Sequence, residues 1–230
     1  MLARPSRDDP QRTLARRMLR AGLSLAAKLS FGLGALCAGL FVLAETDRSM
    51  ASTAALDAFR AVQGAALART PDQSAWSAQR QADYRESLTE SFDAPPGVLE
   101  ISSLKLTVPI FVGTSDLVLN RGVGWIVGTA MPGEDGNIGL AGHRDGYFRV
   151  LKDIKLGDAI EVQSAGRTMR YRVTSLKIVK PSDVSVLDPT DEPSVTLVTC
   201  YPFYFVGSAP QRFIVRAVRT DATGLRASRQ

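Results

Sequence analysis

Histidine and cysteine are the scarce residues of this chain: His143 is the only histidine, and the two cysteines are Cys37, inside a hydrophobic run, and Cys200. Chemistry that joins a thiol to an imidazole therefore has one pair to use, Cys200 with His143. Paired-cysteine metal spacing, a phosphate-binding glycine loop, internal repeats and low-complexity blocks are all missing, which removes zinc modules, nucleotide-cradling folds and solenoids. A basic surface is missing too. Seven Lys/Arg up to Lys28 against Asp8 and Asp9 account for the whole net charge of +5; with 28 basic and 23 acidic residues in all, the rest of the chain balances at 21 of each. A nucleic-acid-binding domain needs its basic excess in the folded part, so no nucleic-acid partner is expected.

What is present begins with an apolar segment. Residues 29–44 are uncharged, and at about 1.5 Å per residue they cover ~24 Å, short of the ~30 Å hydrocarbon core of a bilayer. Extended back to Ala21, the segment contains only Lys28, which can snorkel to the head groups, and it is then long enough to span. The basic residues before it, with Glu45 and Asp47 after it, predict a cytoplasmic amino terminus and an inner-membrane anchor whose downstream domain lies outside the cytoplasm. Val42-Leu43-Ala44 also offers small residues to a signal peptidase; the long basic region and the backward extension favour an uncleaved anchor. Cys37 reads as a small lipid-facing or packing residue.

The expected organisation is a basic tail over 1–20, an anchor over 21–44, a helical stalk or collar over 45–93, a β-rich domain over 94–220 and a short tail over 221–230. Thr53 to Ala68 repeats apolar residues at helical spacing and Pro71 breaks the run, which predicts helix, turn, helix. Trp76, Tyr84 and Leu88 fall on one face of the second helix, as packing residues. After Ala94-Pro95-Pro96-Gly97 come short β-rich runs: 98–101, 104–112, 137–141, 159–163, 167–179, 194–200 and 211–218. Brief helices are expected near 116–121 and 147–151. Together these predict a mainly β protein built on a small barrel.

Cys200 closes Val195-Thr196-Leu197-Val198-Thr199, a β-branched strand that delivers a thiol at its end. His143 follows Gly139-Leu140-Ala141-Gly142, whose small residues predict a tight turn and close backbone approach. Exported domains spend cysteines in pairs as disulfides, and Cys200 has no partner for one. A thiol must ionise to attack a carbonyl, and a neighbouring imidazole both promotes this and protonates a leaving amine. Acyl transfer further needs a fixed donor for the developing oxyanion, which an always-charged arginine supplies. Arg212 and Arg216, an even number apart on the next strand, point to one face, and either fits.

These same residues carry a family resemblance. Thr196-Leu197-Val198-Thr199-Cys200 resembles the TLxTC signature of sortases, membrane-anchored cysteine transpeptidases. Gly139 to Asp145 is similar to their histidine loop, and Gln211-Arg212-Phe213-Ile214-Val215 to the strand carrying their essential arginine. Tyr201-Pro202-Phe203 and Val206 to Pro210 resemble the class D-like sortases of Gram-negative bacteria. The resemblance implies an eight-stranded sortase barrel and a two-step reaction without cofactor. Cys200 attacks the threonine carbonyl of an LPxTG-like sorting signal, His143 protonates the departing amine, and Arg212 stabilises the oxyanion. It implies an amine acceptor from peptidoglycan, a pilin or another protein, with water as the substitute. It also implies substrate contacts from Thr199 and from the 180–193 loop, through Val184 and Leu187.

Other readings of the residues stand beside these. Thr199 fits a plain strand former, Asp145 a turn residue, and Trp125 a packing residue as well as a substrate platform. Glu134, Asp135, Asp188, Asp191 and Glu192 are sparse and lie among Pro and Gly, so they read as solvated turns and no metal is expected. A papain-like protease wants a helix behind its cysteine and its histidine downstream, the reverse of this order. An L,D-transpeptidase keeps its pair close, whereas 57 positions separate His143 from Cys200. A non-catalytic domain that binds sorting signals or scaffolds an envelope complex is the remaining alternative.

Overall fold

A computed structural model describes residues 30, 32–34, 36–41, 56–204 and 207–220. The chain divides into two compact units, Met1–Thr53 and Ala54–Gln230. The described residues of the first unit are helical and exposed, Cys37 among them. Among the described residues no helix is long and apolar enough to cross a membrane. The span expected over 21–44 falls largely outside the described residues, as do the tails over 1–20 and 221–230.

The second unit is built on eight strands: β1 (Gly97–Ile101), β2 (Leu106–Val112), β3 (Val123–Trp125), β4 (Asn137–Gly142), β5 (Ala159–Ser164), β6 (Arg167–Val179), β7 (Ser194–Tyr201) and β8 (Gln211–Arg219). They close into a barrel in the order β1-β2-β3-β4-β7-β8-β6-β5. The β2/β3 and β4/β7 pairs are parallel and the rest antiparallel. Alternation fills the interior: Ile138 and Leu140 of β4, Val195 and Leu197 of β7, and Val215 and Ala217 of β8 are all fully buried, as the two-residue period of a strand requires. Phe148 and Leu151, from a 3-10 segment over Tyr147–Asp153, plug the core beside them.

The expected strand over 104–112 is shorter at its start, because a 3-10 turn (Ser102–Leu104) ends on Lys105 at φ 54°. β3 has no counterpart among the expected strands. It is three residues long, and its glycine hides it: a Cβ on Gly124 would stand 2.1 Å from the Gly113 carbonyl oxygen, so only glycine lets the two backbones pass. The tight turn expected at Gly139 to Gly142 is instead strand β4. The turn comes after it, where Gly146 N–H donates to the His143 carbonyl at 3.2 Å. The close approach expected of these glycines is real, with a Cβ on Gly142 lying 2.6 Å from the Phe148 ring.

Before the barrel run helix α1 (residues 56–68) and helix α2 (Ala78–Ser87), in the same compact unit as the strands. The Ser77 hydroxyl caps α2 by accepting from Arg80 N–H at 3.1 Å, the usual role of a serine at that position. Trp76 precedes the helix rather than lying on it. It meets Tyr84 and Tyr147 edge-on, at centroid distances of 5.7 and 5.1 Å, all three buried. Leu88 does not join them: it is the helix's C-cap and 46% exposed. Ser87 takes the buried place, its hydroxyl donating to the Tyr84 carbonyl at 2.6 Å.

A short third helix, α3 (Asp116–Arg121), leads into β3. Trp125 packs at the edge of the core, its indole N–H donating to Ala130 O at 2.9 Å. Trp76→Ala is expected to cost about 3–5 kcal/mol, the usual loss for a buried tryptophan. A urea melt of the full chain measures it, and a loss below ~1 kcal/mol would mean that the aromatic trio does not hold α2 to the barrel.

Candidate active site

Register brings the candidate residues together. In the parallel β4/β7 pair Gly142 lies opposite Thr199, so His143, the next residue, comes level with Cys200. In the antiparallel β7/β8 pair Cys200 lies opposite Arg212. His143, Cys200 and Arg212 thus form one row across three neighbouring strands, with backbones about 5 Å apart from one to the next. Parallel pairing puts the carboxyl ends of β4 and β7 at the same rim. Antiparallel pairing puts the start of β8 there too.

All three line one open cavity of about 930 Å³. One wall comes from Ser74 to Ser77 and Arg80, before the barrel; another comes from Phe203, Tyr204 and Gly207 to Ala209, after Cys200. Arg144 ties the second wall down by donating to the carbonyls of Pro202 (3.2 Å) and Gly207 (2.7 Å). Arg149 adds a bond to the Phe203 carbonyl and stacks 4.1 Å from the Tyr204 ring centre.

Cys200 is a half-buried free thiol. The His143 side chain is 18% exposed, and among the described residues its Nε2 has no hydrogen-bond partner. Burial pushes the imidazole below its ordinary range, and the Arg80 guanidinium pushes the same way; Asp145, Asp116 and Asp83 oppose them. Asp116 Oδ1 stands 3.8 Å from Nε2, but that carboxylate is 94% exposed, so water screens it. Arg212 spends Nη1 on the carbonyls of Gln211 (3.0 Å) and Ala209 (3.3 Å), which fixes the guanidinium at the cavity. A thiol, an imidazole and a guanidinium in one row can form, protonate and stabilise the species of acyl transfer.

Arg216 shares the outer face but lies opposite Thr196, four residues from the row, or about 13 Å along the strand. Its Nη2 donates to the Val186 carbonyl at 2.5 Å and so ties the 180–193 loop to β8. Of the two arginines, Arg212 is the one across from the thiol.

Thr199 is not a groove residue. Neighbouring strand positions face opposite ways, so Thr199 points inward where Cys200 points out. It is 2% exposed, and its hydroxyl donates to the Gly142 carbonyl at 2.8 Å. Val184 and Leu187 do not line the cavity either. Leu187 covers Gly139, at the Thr196 row, and Val184 is 67% exposed. Asp145 makes the expected turn and also pairs with Arg80, Nε to Oδ1 at 3.3 Å. Arg80 had no sequence signal, lying among the Gln, Arg and Glu of an ordinary surface helix. Among the described residues, no three His, Cys, Asp or Glu group together as a metal site would need.

Known proteins are similar to this chain in sequence and fold. The sortase domain family matches residues 99–220. The chain is 34% identical over 140 residues to sortase D of Bacillus subtilis, covering 60% of this chain and 71% of that one. It is 38% identical over 136 residues to sortase SrtE1 of Streptomyces coelicolor, covering 49% of this chain and 38% of the relative. Among solved structures, sortase A from Corynebacterium diphtheriae superposes with a TM-score of 0.53 at 26% identity, over 74% of this chain and 84% of that one. Sortase C from Clostridium perfringens gives 0.50 at 28%, over 65% and 94%. The chain belongs to the sortase family and is a cysteine transpeptidase.

Thr199→Val keeps the shape and removes the hydroxyl, leaving the Gly142 carbonyl without that donor. We expect a loss of about 1–2 kcal/mol in urea denaturation, with Thr199→Ser losing less. Unchanged stability in the valine variant would mean that the hydroxyl is not a strut.

Proposed function

We propose that this chain is a membrane-anchored, class D-like sortase that cleaves an LPxTG-like sorting signal after its threonine. The acyl group passes to an amine of peptidoglycan, a pilin or another protein, or to water. One observation carries the reading: the chain's only histidine and the one cysteine outside its apolar segment meet in a single row with Arg212, at the rim of one cavity.

The steps follow from the groups in that row. A proton passes from the Cys200 thiol to His143, and the thiolate attacks the threonine carbonyl carbon. Arg212 holds the oxyanion through charge-assisted N–H donors. As the tetrahedral species collapses, the C–N bond breaks and His143 gives its proton to the departing amine, which leaves a thioester on Cys200. The incoming amine attacks that thioester, His143 takes its proton, and the thiolate leaves. On the acyl side, the outer row of half-buried Ala141 and Val198 with buried Ile214 leads from Cys200 toward Leu187 and the exposed Val184. That run of apolar surface suits the Leu-Pro portion of the signal.

Seven basic residues before an apolar stretch support anchoring in the cytoplasmic membrane with the amino terminus inside. The matching domain then lies on the far side. The likeness to sortase D at 34% identity supports the class. Residues 201–203 and 206–210 suggest the Gram-negative branch.

Mass spectrometry of the full chain with an LPxTG peptide and hydroxylamine is the test. The expected products are a thioester adduct on Cys200 and a hydroxamate cut after threonine. Cys200→Ala and His143→Ala should abolish turnover, and Arg212→Ala should lower it by about 10²-fold or more, as for one lost oxyanion donor. Wild-type rates in these variants, or no adduct on a folded protein with a free thiol, would remove the reading.

A further inference from the structure

His143 meets charges from outside the barrel, Arg80 foremost. Arg80, on α2, has a side chain only 15% exposed. Its Nε stands 3.3 Å from Asp145 Oδ1, an ionic contact without hydrogen-bond alignment. Its Nη1 is 3.6 Å from Asp83 Oδ2 and donates to Asn120 Oδ1 of α3. The guanidinium is therefore pinned from three sides. Gly146 shows where it lies: a Cβ built there would come within 3.3 Å of His143 Cβ and 3.6 Å of Arg80 Cδ. The arginine stem and the histidine Cβ both flank a residue that has no side chain.

Every element around the imidazole contributes a charge or a titratable group. The helix α2 supplies Arg80 and Asp83, α3 supplies Asp116, and the histidine's own turn supplies Arg144 and Asp145. The 3-10 segment adds Arg149, β7 the Cys200 thiol and β8 Arg212, all on the same cavity. Asp116 is nearly fully solvated, so the buried part of this set is dominated by Arg80 and the carboxylates it holds.

We propose that Arg80 and Asp145 are a positioning pair through which the helix before the barrel sets the charge on His143. Arg80 favours the neutral imidazole, Asp145 favours the protonated one, and their ion pair holds the two influences in balance. This rests on the reading of His143 as the proton carrier, which must give a proton in one half-reaction and take one in the other. A group held near balance serves both steps. The helical segment is then part of the acid–base apparatus rather than a spacer. The directions agree with the electrostatics, in which Arg80 depresses and Asp145 raises the affinity of His143 for a proton, on top of the larger effect of burial.

The chain's single histidine makes the test direct, because the imidazole signals of the full chain in detergent micelles, labelled with ¹⁵N-histidine, belong to His143 alone. Arg80→Gln removes the cation and leaves Asp145 and Asp83 facing the ring, so the His143 titration midpoint should rise by about half a pH unit or more. Asp145→Asn removes a carboxylate and leaves Arg80 facing the ring, so the midpoint should fall. Arg80→Lys keeps the charge and should stay near wild type.

A purely structural role predicts something else. Loosened packing admits water and moves both midpoints up, toward the ordinary imidazole value of about 6.5. Opposite shifts therefore support the pair; equal upward shifts, or no shift, overturn it. Should either variant lose its native near-UV circular dichroism, Asp83→Asn on the outer part of α2 substitutes. It leaves Arg80 less compensated and must lower the midpoint, and a rise or no change there also overturns the pair. The pH profile of hydroxamate formation separates this proposal from the one it rests on. If the midpoints move oppositely and the profile does not follow, the pair acts on His143 but His143 is not the proton carrier.

Discussion

The parallel pairing of β4 with β7 is the constraint from which the site follows. Two strands whose chains run the same way end at the same rim, so residues that close them, His143 and Cys200, are neighbours even though 57 positions separate them. The register is held at both ends by polar bonds. At the rim, Thr199 Oγ1 donates to the Gly142 carbonyl. At the far end the buried Asn137 side chain accepts from Thr196 Oγ1 at 2.7 Å and from Ser194 Oγ at 3.2 Å. Its amide nitrogen donates to the carbonyls of Val186 and Asp188. A slip by one residue would break both sets and turn Cys200 into the core, where a strand's alternate residues lie.

Satisfied buried polar groups make that register specific. Hydrophobic burial supplies the bulk of the stabilisation, but Val195, Leu197, Ile138 and Leu140 would accept many alignments. The Asn137 cluster accepts one, and it also fastens the 180–193 loop over the outer face. The same loop is held from β8 by Arg216. An arginine that shares a face with Arg212 thus has a separate task four residues along the strand.

How much of this was legible in the sequence depended on which physical signal each residue carried. Cys200 and His143 stood out because nothing else in the chain could do thiol–imidazole chemistry, and most strands were marked by β-branched runs between turn residues. β3 was hidden because its glycine answers to a backbone passing 2.1 Å from a Cβ position, a demand no local pattern announces. Thr199 was misplaced although the two-residue period of its strand already sets it on the face opposite Cys200. Arg212 and Arg216 could not be told apart by spacing, since both alternate correctly, and the cross-strand partner separates them. Arg80 carried no signal at all. Its role comes from where α2 docks, and that depends on Trp76, Tyr84 and Tyr147 meeting across distant parts of the chain.

The closed barrel has a consequence for how such a protein reads a peptide. Many domains bind an extended chain by lending it the unpaired backbone of an edge strand, so that main-chain bonds give affinity whatever the sequence. A sheet that closes on itself leaves only short rows of that kind, as at the end of β6, where residues 175–179 pair with β8 alone. A chain laid across the rest of this surface is held by side chains and by loops such as that over 180–193. Selectivity then resides in segments that can diverge while the barrel and its row of three residues stay unchanged, so one scaffold can serve many different addresses.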